Sequence, residues 1–413
     1  MIVLLVAVAA AAGIASVPFN SETRVYVRPR LPATSKFRCT VKDQLGSGVN
    51  THCGLFLVAI LGIKNLSEVR SMKAAFYVGS ATMRTGPQTA IEPTLGQVQI
   101  QVAYCGICGT DLHIFHGKMD HRVHLPQVMG HEMSGTISAL GPGVEGFSVG
   151  DAVTVMPLDP CNNCPACRAG HNHICQNLKF MGIDTPGAMQ TYWTVPAHTL
   201  HHLPATLPFH IAALVEPVSV ACHAVRLGSV AESEYVAVLG GGPIGTLVAL
   251  VAKSQGARVL VSEINPYRLQ LLQELGLEAM DPRQKDFPEY VTDQTNGAGA
   301  DVVFEVTGSA AGAELMTKLL RTRGRIVVVA IFADPPKVDL FRFFWRELRL
   351  RGARVYEHQD FEAGIRLAAS GSLPLDRLIT QTYPLEQVQS GLQQMERGGE
   401  VMKVLIECGD GAA

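Results

Sequence analysis

The chain lacks a charge excess of either sign. Its 413 residues hold 34 Lys and Arg against 36 Asp and Glu, a formal net of −2. Nucleic-acid binders carry a basic excess, so no nucleic-acid partner is expected. Charged residues of all kinds are few, 17%, whereas apolar residues reach 47%. That balance excludes an intrinsically disordered chain and supplies cores for two or three domains. Aromatics are also scarce, 6% with only two Trp, which argues against an aromatic-rich binding surface. Glycine is plentiful at 40 residues, as in α/β folds with many tight turns.

The first 19 residues, MIVLLVAVAAAAGIASVPF, lack any charge. Such a run suits a signal-peptide core or a short membrane anchor. The basic leader of a signal peptide is missing, however, and the first basic residues, Arg24, Arg28 and Arg30, follow the run. Positive charge after an apolar run keeps the following chain in the cytoplasm. Residues 1–71 carry eight basic and three acidic residues, net +5, and the remainder is net −7. Residues 1–71 are therefore expected to be an atypical, poorly ordered extension, either untargeted or a true targeting segment. An enzyme tethered to a membrane through residues 2–18 is a further alternative, although membrane association is not the expectation. At Met72 the pattern changes to MKAAFYVG, a strand that opens a domain.

Four of the ten cysteines crowd into CNNCPACRAGHNHIC, spaced Cys161-x2-Cys164-x2-Cys167-x7-Cys175. Four thiolates this close can enclose one tetrahedral Zn²⁺. The competing reading is two disulfides, which are awkward at two-residue spacing and needless in a chain this large. A site closed by four thiolates leaves no position for a substrate, so its role is structural. A nucleic-acid zinc ribbon would separate two CxxC pairs by ~15–20 residues, and this segment does not.

A second set of ligands is open. VAYCGICGTDLHIFHG (102–117) and VMGHEMSG (128–135) contain Cys108, His131 and Glu132. Three protein ligands plus water is the usual arrangement of a catalytic zinc. Cys105 fits the core, because it lies in the apolar strand QIQVAYC. Glycines flanking Ile107-Cys108, and Gly130 before His131, are expected to leave room for a close approach to the metal. Glu216, inside the apolar AALVEPVSVACHAV, is a further ligand candidate, since a buried carboxylate is costly unless paired or metal-bound. Its alternative is a helix N-terminal charge beside Pro217. Asp111 could orient the imidazole of His131 from behind. Thr110 and His113 could carry a proton from a bound alcohol to solvent; the alternative for His113 is an exposed surface histidine.

Residues 234–240, EYVAVLG, read as a short strand, and Gly240-Gly241-Gly242-Pro243-Ile244-Gly245 matches GxGxxG. The helix TLVALVAKSQG and the strand RVLVSE follow, ending on Glu263. Strand, glycine turn, helix, strand and terminal acid in this order form a dinucleotide-binding fingerprint. Gly240 permits the turn, Gly242 admits the pyrophosphate, and Gly245 allows close helix packing. The helix N-terminus, with Pro243 and Ile244, stabilises phosphate charge. Glu263 can bind both ribose hydroxyls and would repel a 2′-phosphate, which favours NAD over NADP. Its alternative is an exposed strand-end carboxylate. Arg268 could instead serve NADP or stack on adenine. DVVFEVTG (301–308) and GRIVVVAI (324–331) read as buried strands, with a helical pattern at 311–322 between them. Their ends, near Thr307 and Ala330, are expected to face the cofactor.

GICGTDLH, GHE, the four-cysteine lobe and GGGPIG occur in that order. Together they resemble the zinc-dependent medium-chain dehydrogenase/reductase (alcohol dehydrogenase) family, from Met72 to about Glu407. The Glu-Pro at Glu216 is similar to the polyol and diol branch of sorbitol, butanediol and threonine dehydrogenases. The alcohol dehydrogenase branch has cysteine there. The resemblance implies Cys108, His131, Glu132 and Glu216 at the catalytic zinc and Thr110 in the proton relay. It implies an α/β fold, a GroES-like β-rich catalytic domain plus a Rossmann doubly wound parallel sheet. The expected bounds are 72–218 for the catalytic domain with its zinc lobe, 219–352 for the NAD-binding domain, and 353–413 for the C-terminal completion of the catalytic domain. The expected reaction is NAD-linked oxidation of a secondary alcohol, a polyol or vicinal diol, to a ketone, in which zinc lowers the pKa of the bound hydroxyl. The expected assembly is a cytoplasmic homodimer or homotetramer acting on a small-molecule alcohol. Threonine dehydrogenases carry tryptophans where this chain reads HIFHGKMDHRVHLPQVM, so threonine is the less expected substrate. The alternative is a non-catalytic, zinc-stabilised NAD-binding redox sensor or structural protein.

Overall fold

The computed structural model describes residues 71–409 and, before them, the backbone of four short strands. Those strands, Ser16–Pro18, Arg24–Tyr26, Arg38–Lys42 and Gly48–His52, pair antiparallel in chain order. The leader, tether and disorder expectations for residues 1–71 otherwise lie outside the described residues. Residues 71–409 fall in a separate compact unit, and among the described residues no helix is long and apolar enough to cross a membrane.

That unit opens with the hairpin β1 (Ser71–Tyr77) and β2 (Met83–Thr89). The centre of the next sheet is β3 (Gln97–Gly106), whose apolar residues Val98, Ile100, Val102 and Cys105 are buried. Along one side β3 pairs antiparallel with β4 (Glu132–Leu140). Its other side is shared by β6 (Tyr192–Pro196), which follows β5 (Ala152–Val155) in the chain, and by the last strand, β15 (Lys403–Glu407). Beyond β4 lie β5 and β7 (Leu200–His202), and beyond β15 lies β14 (Ile379–Pro384). Cys105 is fully buried, as its strand position requires.

The second sheet is wholly parallel. Its strands are β8 (Tyr235–Leu239), β9 (Arg258–Ser262), β10 (Glu278–Met280), β11 (Ala300–Glu305), β12 (Leu320–Val328) and β13 (Arg349–Gly352). In space they run β10-β9-β8-β11-β12-β13. This is the Rossmann order, which reverses direction beside the first strand and leaves a ligand crevice there. Val236, Ala237, Val238, Val302, Val303 and Phe304 are fully buried, because crossover helices cover both faces of such a sheet. The helical pattern at 311–322 is shorter in the structure. The helix runs Ala310–Lys318, and β12 already begins at Leu320. Leu319 and Leu320 are both buried, and apolar residues at a helix–strand junction satisfy either period. β12 also stops at Val328, before the Ala330-Ile331 of the expected strand.

Candidate active site

β3 ends where the chemistry begins. Gly106 pairs with Glu132 on one side and with Leu405 on the other. A side chain at Gly106 would collide with the Glu132 carboxylate, so glycine admits that group beside the strand. Cys108 then caps α1 (Gly109–Phe115). Its backbone N–H donates to Asp111 Oδ2 at 2.9 Å, which fixes the thiol at the helix entrance. His131 lies just before β4 and packs edge-on to Phe180, 5.2 Å between ring centres.

The structure brings Cys108, His131 and Glu132 together, with one ligand atom from each within 4.8 Å of the others. His131 and Glu132 are 2% and 1% exposed. His131 Nδ1 has no hydrogen-bond partner and stands 3.9 Å from Asp111 Oδ1, which is equally buried and unpaired. Burial opposes a charged ring. The Asp111 carboxylate and the Cys108 thiol nevertheless push His131 up to about 10. A thiol, an imidazole and a carboxylate, with unpaired buried atoms behind them, fit a zinc ion.

The room expected beside Gly130 is not for a metal. Gly130 has φ +94°, and a side chain there would meet Cys105 Sγ at 2.5 Å and Met189 Cγ at 2.9 Å. The glycine serves the turn and this packing.

Glu216 stays outside the three-residue cluster. It lies in the first turn of α2 (Val215–Leu227), 4% exposed, and accepts a bond from the Tyr356 hydroxyl at 2.9 Å. Both readings of this residue thus have a footing, a helix N-terminal charge and a carboxylate electrostatically coupled to His131. Burial pushes its carboxyl up to about 7, while His131 and Tyr356 oppose the rise. Thr110 and His113 lie one turn apart on α1, both half-buried. Burial, then Lys118 and His116, lower the His113 pKa.

Two buried residues near the cluster escape sequence reasoning. Lys403, 4% exposed, pairs with Glu132 and donates to the Ile107 carbonyl at 3.0 Å. Burial disfavours its charge, but Glu132 and Cys108 outweigh burial and raise its pKa. Tyr356 is fully buried on Glu216. The only local signal for Lys403 is a lysine in the apolar run VMKVLIE.

The cysteine lobe is free of disulfides. Cys164 lies 3.5 Å from Cys167 and 3.8 Å from Cys175, and Cys175 lies 3.4 Å from Cys161, sulfur to sulfur. Four thiolates about 2.3 Å from one zinc stand about 3.8 Å apart, so the lobe fits the ion. Backbone N–H groups of Gln176 and Asn177 point at Cys164 and Cys175 sulfurs. Backbone donors of Cys167 and Gln176 lower Cys164 to about 6.

On the parallel sheet, Gly240 has φ +102° and closes on Thr307, the nearest side chain to its missing Cβ at 3.0 Å. Gly242 caps α3 (Pro243–Ser254), which begins with Pro243 and Ile244. A side chain at Gly245 would fall on the Gly240 carbonyl, so the turn and the helix can meet only here without one. Glu263 follows β9 and is 7% exposed rather than a solvated strand end. Its Oε2 accepts from Gly241 N–H at 2.9 Å, and its Oε1 from the N–H groups of Ile264 and Asn265 at 2.6 and 2.8 Å. Arg268 lies in the helix Pro266–Glu274, beside the glycine loop. Its Nη1 is 3.5 Å from where a Gly242 Cβ would stand, and its Nε donates to the Val401 carbonyl at 3.3 Å. Thr307 and Ala330 follow β11 and β12 at the carboxyl edge of the sheet. Glu305, fully buried, organises that edge by accepting from the N–H groups of Thr307 and Gly308 at 3.0 and 3.1 Å. The glycine loop and the ligand cluster are linked twice. α2, which carries Glu216, packs on α3, and Arg268 holds Val401, two residues before Lys403.

Comparison with known proteins identifies the family. Residues 94–205 match the alcohol dehydrogenase GroES-like domain, and residues 243–370 match the zinc-binding dehydrogenase domain. The chain belongs to the zinc-dependent medium-chain dehydrogenase/reductase family, in its polyol branch. It is 52% identical over 337 residues to a 2-dehydro-3-deoxy-L-galactonate 5-dehydrogenase of Pseudoalteromonas atlantica, spanning 82% of this chain and 99% of that one. It is 34% identical to a sorbitol dehydrogenase of Halalkalibacterium halodurans, over 81% of this chain and 99% of the relative. Among solved structures, 2R,3R-butanediol dehydrogenase of Bacillus subtilis superposes with a TM-score of 0.76 at 30% identity, covering 82% of this chain and 99% of that one. The chain is therefore an oxidoreductase with a GroES-like and a Rossmann part, and the reading as a non-catalytic scaffold falls away.

Proposed function

We propose that this dehydrogenase oxidises a secondary hydroxyl of a polyhydroxylated substrate to a ketone and passes the hydride to NAD. Polyols and vicinal diols are the general class. Sugar acids of the type named in the 52% identical relative are the first substrates to try. The carrying observation is the convergence of Cys108, His131 and Glu132, with unpaired buried atoms on His131 and on Asp111 behind it. A zinc ion held there supplies a Lewis acid that lowers the pKa of the substrate hydroxyl.

The chain's own residues do the rest. Lys403 anchors Glu132, and Asp111 backs His131. Glu216, kept on Tyr356, is assigned beside the ion, within electrostatic reach of His131. The Thr110 hydroxyl accepts the substrate proton as it passes its own on to His113, which releases a proton to solvent. Cys161, Cys164, Cys167 and Cys175 hold a second, structural zinc. Gly240, Gly242, Pro243, Ile244 and Gly245 seat the pyrophosphate at the start of α3. Glu263 faces the ribose hydroxyls with a charge that repels a 2′-phosphate. Arg268 flanks the loop, and Thr307 and Ala330 border the nicotinamide side. The cofactor supplies the redox chemistry; the protein supplies position and charge.

The partner is a second copy of the chain. β13 is the exposed edge of the parallel sheet, and Phe341, Phe344 and Trp345 beside it are 66%, 76% and 71% exposed. A patch of that kind marks an interface, so the scarcity of aromatics in the sequence did not exclude an aromatic surface, because the few present cluster here. A cytoplasmic location is proposed from the basic residues that follow the uncharged N-terminal run.

The test is Cys108→Ser. NAD binding should survive, bound zinc should fall by one per chain, and turnover on polyols and sugar acids should vanish. Full turnover in that variant would defeat the reading.

A further inference from the structure

A third cluster of ligand-type side chains lies apart from both the Cys108 pocket and the cysteine lobe. His201 sits on the short strand β7, and His358 is the first residue of α8 (His358–Ser370). Glu362 follows His358 by four residues, so the two share one face of the helix. One ligand atom from each of His201, His358 and Glu362 lies within 4.8 Å of the other two. A cavity of about 360 Å³ opens beside them, lined also by Leu200, His202, Ile365 and Arg366.

His201 carries the argument. It is 8% exposed, wedged against Phe361 and His358, with ring centres 4.7 and 4.9 Å away. Its Nδ1 stands 3.8 Å from Glu362 Oε1, beyond hydrogen-bond reach. No hydrogen bond to another described residue holds the ring. The ring is aimed at a carboxylate across a gap. The size of the gap is informative. Ligands about 2.1 Å from one zinc stand about 3.4 Å apart at the tetrahedral angle. Small side-chain shifts at the exposed His358 and Glu362 bring all three onto one ion.

We propose that His201, His358 and Glu362 form an additional, solvent-open site for a divalent transition-metal ion of the zinc class. Two imidazoles and one carboxylate suit zinc and its neighbours rather than magnesium or calcium, which take oxygen ligands. Three protein ligands leave a position that opens on the cavity. Arg366 is the competitor, with Nη1 3.7 Å from Glu362 Oε2, on the carboxylate oxygen that faces away from His201. An ion here ties β7 to the first turn of α8. Tyr356, which holds Glu216, lies two residues before that turn.

The experiment is zinc chloride titration of the full-length wild type, His358→Ala, Glu362→Gln and Arg366→Ala, read by calorimetry, bound zinc per chain and melting temperature. The wild type should take up one zinc that His358→Ala does not, and should melt higher with added zinc. Glu362→Gln should weaken that uptake by about tenfold or more. Arg366→Ala should bind at least as tightly as wild type. Turnover without added zinc should be unchanged in His358→Ala. Because the readout is a difference between variants, it does not depend on what Cys108 or the cysteine lobe holds. Equal zinc uptake and equal melting shifts in wild type, His358→Ala and Glu362→Gln would overturn the proposal.

Discussion

The hydroxyl of Tyr356 donates to Glu216 Oε1 at 2.9 Å, joining the segment before α8 to the first turn of α2. Both groups are buried. The bond favours the charged form of a carboxyl that burial has already pushed up to about 7. In Tyr356→Phe that support is lost, and the Glu216 pKa moves higher still. More alkaline solution is then needed to keep it ionised, so the acid limb of the kcat/KM profile should shift to higher pH. Leaving the buried acceptor unpaired should also cost about 1–3 kcal/mol of stability. An unmoved acid limb would separate Glu216 from the reaction.

Asp360 ties α8 to α2 through His223 Nδ1 at 2.7 Å and Arg226 at 2.6 and 2.8 Å. Burial works against its charge, yet Arg226 and His223 prevail and depress its pKa below the usual aspartate range. A depressed carboxylate contributes stability above its unfolded pKa of about 3.9 and loses it as pH falls toward the folded value. Melting temperature should therefore drop steeply below about pH 4 in the wild type and less so in Asp360→Asn. At neutral pH that variant should be about 2–3 kcal/mol less stable. The low end applies because Arg226 is 38% exposed and screened by solvent.

The cysteine lobe has hardly any apolar filling, since only Ala166 and Leu178 pack with its four sulfurs. Cys164→Ser should release one zinc per chain and open residues 161–178 to proteolysis, with a fall in melting temperature. Turnover at low temperature should persist in part. Unchanged metal content would argue for a lobe that holds itself together.

The proposed preference for NAD rests on Glu263. Glu263→Gln keeps an acceptor for Gly241 but removes the charge. A full charge about 4 Å from a phosphate is worth up to about 4 kcal/mol near a protein surface. The ratio of kcat/KM for NAD over NADP should fall at least about tenfold. Wild-type preference for NADP would instead hand the ribose to Arg268.

Features written in adjacent residues were readable before folding. The cysteine spacing places four sulfurs within one short segment, 161–175, and the glycine turn is fixed by contacts between Gly240 and Gly245 themselves. Cys108 and His131 were legible because their neighbours are unusual locally. Lys403, Tyr356 and Glu305 were not. Each acquires its meaning from a partner or a turn that only the folded sheet defines. Lys403 reaches Ile107 across 296 residues, and Tyr356 reaches Glu216 across 140. The junction at Leu319-Leu320 defeated the periodic reading because buried leucines suit a helix end and a strand start equally. Gly130 misled for a related reason, since its empty space is filled by Cys105 and Met189 from other parts of the chain.

β15 completes a sheet that β3 begins, and the parallel sheet lies wholly between them in the chain. On the ribosome, the whole parallel sheet is made while the sheet around β3 still waits for β15. Glu132 meets its lysine only after all six parallel strands have been made, so a polypeptide cut short before Lys403 would carry the glycine turn without the lysine that pairs with Glu132.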